Sequence, residues 1–312
     1  MRVLVTGGAG FIASHIVDEL VLQKYEVHVV DDLSTGKREN LNENSIFHNI
    51  NIHDDRFEEM FARVSPDIVI HHAAQVSVSH SMIWPVEDAK INMIGSINVI
   101  ECCKKYKVRK IIYASSAAVY GVPVSLPIQE THEIRPLSPY GISKYTPEEY
   151  LRICTTHSEV DYTILRYANV YGQRQDPKGE GGVVSIFMDR FLTGHAPSIY
   201  GDGAQTRDFI YVKDVVAANL QALTSGSRNT FNIGTGTTTS INELVTILNK
   251  IFQTNITPQY YSPRLGDITH SVLCNQKAEQ ELGWKSKYSI FEGLNETYRA
   301  IQKQSNSQLM IG

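Results

Sequence analysis

Short β-branched runs alternate with longer amphipathic ones through the first half of the chain. RVLVTGG (2–8), EVHVVDD (26–32), SIFHNIN (45–51), DIVIHHAA (67–74), RKIIYASS (109–116) and DYTILRYANV (161–170) have the length and composition of strands. Between them FIASHIVDELVLQKY (11–25), DRFEEMFARV (55–64) and PVEDAKINMIGSINVIECCKKY (85–106) carry the spacing of helices. This alternation predicts an α/β fold, a doubly wound parallel sheet of the Rossmann kind with right-handed crossovers. The rhythm breaks at GQRQDPKGEGG (172–182), a polar, glycine-rich stretch. A boundary there gives a first domain over 1–170 that holds the sheet and a smaller mixed α/β domain over 171–312, some of whose segments are expected to pack back on the first. In the second part Ser240 and Glu243 precede an apolar run, the spacing of a capping box.

Composition narrows the class. Hydrophobic residues make up 42% and charged residues 20% of 312, as in ordinary globular proteins. A net charge of −4 argues against nucleic acid as a partner, since its binding leans on concentrated basic surface. The start MRVLVTGGAG is not a charged-then-apolar leader, and the chain contains no run of about 18 apolar residues. The expectation is a cytoplasmic protein with no membrane partner. Cys102, Cys103, Cys154 and Cys274 include no C-x-x-C pair and suggest neither a disulfide framework nor a metal site.

Three stretches carry chemistry. In VTGGAGFIASH, Gly7, Gly10 and Ala13 follow the first strand and open the first helix. Glycine there permits a tight turn and close approach of a pyrophosphate to the helix N-terminus, and the third position tolerates alanine. Asp31 and Asp32 end the second strand, where a carboxylate accepts from ribose hydroxyls and repels a 2′-phosphate, which favours NAD over NADP. Lys37 and Arg38 read as a solvated basic turn. In YASSAAVYG (113–121), Ser116 falls at the end of the fifth strand, where ligands of doubly wound sheets bind. In SPYGISKY (138–145), Tyr140 and Lys144 share one helical face, and a nearby cation is expected to lower the phenol's pKa. His71 and His72 are adjacent in a strand, so they point to opposite faces and read as packing rather than as metal ligands. Pro147, three residues after Lys144, removes a backbone hydrogen bond and is expected to kink or split the helix.

TGGAGFIASH, SSAAVYG, SPYGISK, LRYANVYG and TRDFIYVKD resemble the extended short-chain dehydrogenase/reductase family, in particular its UDP-glucose 4-epimerase branch, over residues 1 to about 300. The resemblance implies that Tyr140 is the catalytic base, that Lys144 lowers its pKa and holds the nicotinamide ribose, and that Ser116 bonds the reacting hydroxyl. It implies a cofactor site of Gly7, Gly10, Phe11, Ile12, Asp31, Asp32, Asn51, Ile52, Ala73, Ala74, Asn92, Ser115, Tyr140, Lys144 and Tyr167, with Asn51 standing where the family usually has aspartate. It implies a UDP-sugar site of Ser116, Tyr140, Asn169, Val183, Tyr200, Arg207, Arg264, Asp267 and Ser271. The two arginines suit a diphosphate because the guanidinium fork binds bidentately.

The activity implied is NAD-dependent 4-epimerisation of UDP-glucose and UDP-galactose, by transient oxidation at carbon 4. Ser271 stands where epimerases restricted to plain hexoses have tyrosine, so the resemblance extends the substrates to UDP-N-acetylglucosamine and its galacto epimer. A homodimer through the helices at 85–106 and 139–157 is also implied. Alternatives are a dehydratase, a decarboxylase, a UDP-glucuronate 4-epimerase or a non-catalytic dinucleotide sensor. A dehydratase needs acidic residues just after the fifth strand, where this chain has Ala117 and Ala118. Enzymes of UDP-glucuronate usually carry an arginine after the fourth strand, where it reads AAQVSVSHS.

Overall fold

The structure is a computed structural model that describes residues 1–178, 182–264, 266 and 268–309. The first six strands are β1 (Arg2–Thr6), β2 (Glu26–Asp31), β3 (Ile46–Asn49), β4 (Ile68–His71), β5 (Lys110–Ser116) and β6 (Asp161–Tyr167). They are followed by β7 (Asn169–Tyr171), β8 (Ser198–Tyr200), β9 (Thr206–Arg207), β10 (Phe209–Tyr211), β11 (Asn229–Ile233), β12 (Thr239–Ser240) and β13 (Gln259–Tyr261). The helices are α1 (Phe11–Leu22), α2 (Asp55–Val64), α3 (Val78–Ile83), α4 (Pro85–Ala89), α5 (Gly95–Lys105), α6 (Pro139–Cys154), α7 (Val183–Leu192), α8 (Val212–Ala222), α9 (Ile241–Phe252) and α10 (Ile290–Leu309). No helix of the described residues is long and apolar enough to cross a membrane.

Seven strands form one parallel sheet in the order β11-β6-β5-β4-β1-β2-β3. The doubly wound architecture expected from the sequence is therefore present. The order reverses between β1 and β4, and the crevice at that switch point is where such sheets take ligands. Successive residues of β1 divide between two cores because strand side chains alternate. Val3 and Val5 pack with Ile16, Val17, Leu20 and Val215, whereas Leu4 packs with Phe57, Phe61, Val99 and Ile164. Burial on both faces explains why the strand sequences read as continuous apolar runs.

The last of the six expected strands divides. β6 ends at Tyr167, and β7 leaves the large sheet to pair with β10. The main-chain N–H and the side-chain Nδ2 of Asn169 both donate to the carbonyl of Asp208, at 3.0 and 3.2 Å, and draw the chain toward that pair. Strand β11 then returns to the large sheet beside β6. A third core, around Tyr171, Phe187, Phe191, Ile199, Phe209, Leu244 and Leu248, lies under α7, α9 and α10. The Ser240–Glu243 capping box is formed, with both reciprocal bonds.

Two helices depart from expectation. The stretch from Pro85 to Lys105 contains a π segment, Lys90–Ile94, between α4 and α5. Such insertions are frequent at functional sites. Pro147 does not split α6, which runs unbroken from Pro139 to Cys154. The Tyr113 hydroxyl donates to the carbonyl of Lys144 at 3.1 Å, and Thr146 Oγ1 donates to that of Ile142 at 2.9 Å. Side-chain donors thus hold carbonyls on either side of the one that the proline leaves unpaired.

Candidate active site

The Tyr140 phenol hydrogen-bonds with Ser116 at the carboxyl end of β5, and the Lys144 ammonium lies over the ring of Tyr113 on the same strand. Ser138 caps α6 by accepting from the amide of Gly141 at 3.1 Å, and Pro139 fills the first helical position. Tyr140 is thereby set in the first turn, with Lys144 one turn further. The Tyr140 amide donates to Ser81 Oγ at 3.1 Å, which fixes the helix start against α3. Part of Tyr140's surface is open, yet its phenol sits in a dry setting. Burial pushes its pKa above the ordinary value, the hydrogen bond with Ser116 draws it back down, and the charge of Asp88 raises it. The lowering expected from Lys144 is not found: the phenol's pKa is raised, and desolvation of the phenolate is the largest cause.

Lys144 is buried against Tyr113, its Nζ 4.8 Å from the ring centroid. Burial lowers its pKa to about 8, opposed by the charges of Glu148 and Asp88. Glu148, four residues on, is buried in an ion pair with Arg166: Nε donates to Oε1 at 3.0 Å and Nη2 to Oε2 at 2.5 Å. Ser115 Oγ also donates to Oε1. Arg166 Nη1 reaches the Tyr120 hydroxyl at 2.8 Å, which in turn donates to Asn232 Oδ1 at 2.7 Å. Asn92 lies in the π segment. Its Oδ1 accepts from the Gln75 amide at 2.8 Å, and its Nδ2 donates to the Gln75 carbonyl, Asp88 Oδ1 and Ser143 Oγ at 3.0, 3.1 and 3.0 Å.

The two histidines point apart, as expected. His71 pairs with Thr6 Oγ1 at 2.7 Å and Ser96 Oγ at 2.9 Å. His72 Nε2 faces the Tyr167 hydroxyl at 3.2 Å, which also accepts from Asn219 Nδ2 at 2.8 Å. Burial, reinforced by the Lys144 cation, takes both imidazoles down to about 3. They are neutral at any ordinary pH. Among the described residues no cluster of His, Cys, Asp or Glu could hold a metal ion.

The nucleotide end is built around Gly7, whose φ of +68° suits glycine, and where a Cβ would lie 2.7 Å from the Ala73 amide nitrogen. Ala73 and Ala74 follow β4, and the Ala73 N–H donates to Thr6 Oγ1 at 3.2 Å. Helix α1 starts at Phe11 and Ile12 behind Gly10, with no capping side chain and no acidic residue in its first turn. That leaves the positive helix end matched to an anionic ligand. Asp31 accepts from the amides of Ala9 and Leu33 at 2.9 and 2.8 Å; burial raises its pKa and these bonds lower it. Asn51 Nδ2 donates to Asp32 Oδ2 at 2.7 Å, so it braces the acidic pair, while Ile52 beside it is buried. Lys37 pairs with Asp176 at 3.0 Å and the Arg38 guanidinium lies 5.7 Å from the centre of the Phe47 ring. Both cations of the basic turn thus have partners within the protein.

The residues expected to hold the sugar nucleotide are more open. Asn169 is exposed at the start of β7, and Val183 opens α7. Arg264 lies 4.0 Å from the centre of the Tyr200 ring, and Tyr261 packs beside the same ring at 5.7 Å. Arg207 Nη1 donates to the Thr206 carbonyl at 2.9 Å, and the amide of the half-buried Ser271 donates to that same carbonyl at 3.2 Å. Asp267 lies outside the described residues.

Sequence reasoning missed Asp88, Tyr113, Glu148, Arg166 and Asn219. Two of them had a signal: Asp88 and Glu148 stand four residues from Asn92 and Lys144, on the same helical faces.

Solved structures resemble the chain throughout. UDP-glucose 4-epimerase of Thermotoga maritima, determined with UDP-glucose, is 47% identical with a TM-score of 0.95, covering 98% of this chain and 100% of that one. UDP-glucose 4-epimerase of Thermus thermophilus, in complex with NAD, is 40% identical with a TM-score of 0.91, over 97% and 99%. UDP-N-acetylglucosamine 4-epimerase of Methanobrevibacter ruminantium, in complex with UDP-N-acetylmuramic acid, is 36% identical with a TM-score of 0.92, over 97% and 98%. The family model describing NAD dependent epimerases and dehydratases matches residues 3–234, which span both the glycine turn and the Ser116, Tyr140 and Lys144 cluster, and the chain belongs to that family.

Proposed function

We propose that the chain is a NAD-dependent 4-epimerase that interconverts UDP-glucose and UDP-galactose. The observation that carries this is the placement of Ser116, Tyr140 and Lys144 at the end of β5, in the same parallel sheet whose β1 leads into an uncapped α1 and whose β2 ends in the Asp31 carboxylate. Ala117 and Ala118, in the 3-10 turn after β5, offer no carboxylate for loss of water, which argues against a dehydratase.

Bound NAD supplies the acceptor that takes the hydride from carbon 4 and gives it back. Tyr140, as phenolate, takes the proton of the carbon 4 hydroxyl, with Ser116 bonded to the same oxygen. Charge balance in that step rests on Lys144, whose ammonium favours the phenolate. When the ketone is reduced on its other face, Tyr140 returns the proton. Arg207 and Arg264 hold the diphosphate while the sugar turns, so the intermediate stays bound. Residues 1–170 carry the cofactor and 171–312 the sugar nucleotide. The active species is a homodimer through α4, α5 and α6, a reading supported by the exposed apolar Trp84, Val86, Ile94, Ile142 and Ile153 on or beside those helices.

Ser271 extends the range to UDP-N-acetylglucosamine and its epimer, because a small side chain leaves volume for an acetamido group. The family kinship with an N-acetylglucosamine epimerase supports this. Heat-released nucleotide analysed by chromatography should be NAD, and the purified chain should epimerise UDP-galactose without added reductant. Bound NADP, or no turnover of any UDP-hexose, would sink the proposal. Ser271→Tyr should abolish turnover of the N-acetylated pair and largely spare UDP-galactose, whereas equal losses would remove Ser271 from the pocket.

A further inference from the structure

Asp88, on α4, has no exposed surface at all. Its Oδ1 accepts from Gln75 Nε2 at 2.8 Å and Asn92 Nδ2 at 3.1 Å, while its Oδ2 has no hydrogen-bond partner. An ionised carboxylate has room for about four hydrogen bonds, and a dry, half-satisfied one is costly. Two accepted bonds need only one oxygen, which an asparagine would supply, so the charge itself calls for a role.

Two features point to the role. Asn92 Nδ2 donates to Ser143 Oγ at 3.0 Å, and Ser143 Oγ donates to the Tyr140 carbonyl at 3.1 Å. Asp88 is thus joined to the first turn of α6 through two side chains. The second feature is a charge count. Tyr140 and Lys144 are faced by Asp88 on α4, Glu148 on α6, Tyr113 on β5, and His71 and His72 on and just after β4. The histidines are neutral, and burial keeps the Tyr113 phenol protonated. Glu148 acts more strongly on Lys144 than Asp88 does, but its own charge is already matched by Arg166. Asp88 is the carboxylate left to balance the Lys144 ammonium.

We propose that Asp88 is a positioning residue of the catalytic pair: its buried charge is the counter-charge of Lys144, and its hydrogen bonds through Asn92 and Ser143 hold the turn that carries Tyr140. The inference rests on the reading of Tyr140 and Lys144 as the proton-handling pair. Its sign is definite. The Asp88 charge raises the pKa of both Tyr140 and Lys144, so removing it lowers both.

The test is Asp88→Asn, which keeps an acceptor for Gln75 and Asn92. The rate of UDP-galactose epimerisation by the NAD-loaded parent and variant is measured across pH, with nucleotide content and Tm recorded for each. Both limbs of the variant's profile should move to lower pH, with NAD retained. Profiles that superimpose, or differ only in height, would overturn the proposal. Phenolate absorbance, taken as the difference between each chain and its Tyr140→Phe counterpart, makes the same comparison without turnover. Failure of epimerase activity in the parent is therefore distinguishable from failure of the Asp88 inference. Should Asp88→Asn not fold, Asp88→Ser carries the same expectation; if neither folds, Asp88 serves stability alone and the proposal falls.

Discussion

Lys144 and Glu148 are 5% and 2% exposed, and nearly every polar atom around them has a partner within the protein, whereas Tyr200 is 39% exposed and its ring is met by the guanidinium of an exposed Arg264. The wall proposed to be catalytic is held by strands of the large sheet and one helix of 16 residues. The wall proposed to hold the sugar nucleotide is assembled from two-stranded pieces, β8 with β13 and β9 with β12, units that are marginal unless they pack on something larger. One side is organised before any ligand arrives, and the other has side chains that a ligand can rearrange. Proton transfer tolerates little misplacement, while a sugar that must turn between two poses needs room.

If the catalytic wall is organised around one phenol, removing that phenol should give the largest effect of all. Tyr140→Phe keeps the Ser138 cap and the main-chain bond to Ser81, since neither uses the hydroxyl. Turnover of UDP-galactose should fall by roughly 10²–10⁴, the range for loss of a general acid or base, with NAD content unchanged. A rate equal to the parent's would take Tyr140 out of the mechanism.

The same wall should be fragile where its charges are paired. Arg166→Met leaves Glu148 a buried, unmatched carboxylate, which typically costs about 3–5 kcal/mol. A drop in Tm of several degrees is expected, largely recovered in Arg166→Met combined with Glu148→Leu, because the double variant leaves no lone charge. A neutral single variant would mean that water reaches the pair and that the wall is not dry.

How far these walls are legible in the sequence follows from the same contrast. Strands, the glycine turn and the helix that carries Tyr140 and Lys144 depend on local pattern, so period and i, i+4 spacing mark Gly7, Asp31, Ser116, Tyr140 and Lys144 as candidates, while the roles proposed for them come from the family resemblance. The supports depend on contacts between distant segments. Arg166 meets Glu148 only because β6 lies beside β5 under α6, and the return of β11 to the sheet after an excursion through β7–β10 leaves no trace in hydrophobic period. Pro147 departs from expectation for a related reason: local chemistry forecasts a split, but the Tyr113 hydroxyl, 31 residues from Lys144 in the chain, serves the neighbouring carbonyl. The state of the Tyr140 phenol is likewise hidden, since spacing reports a cation on the same helical face but not the desolvation that raises the phenol's pKa.

The open wall should respond in the opposite way, with binding lost and stability kept. Arg264 is exposed, and its contact with Tyr200 is a cation–π stack worth only about 0.5–1 kcal/mol at such a site. Arg264→Ala should therefore leave Tm nearly unchanged. A charge-assisted bond to a diphosphate contributes about 1.5–3 kcal/mol, so KM for UDP-galactose should rise roughly tenfold or more. If Arg264 holds the diphosphate alike before and during the reaction, as proposed, kcat should change far less than KM. Equal loss in kcat and KM would mean that Arg264 acts on the transition state, and a fall in Tm of several degrees would show that this wall, too, is built into the fold before the sugar nucleotide binds.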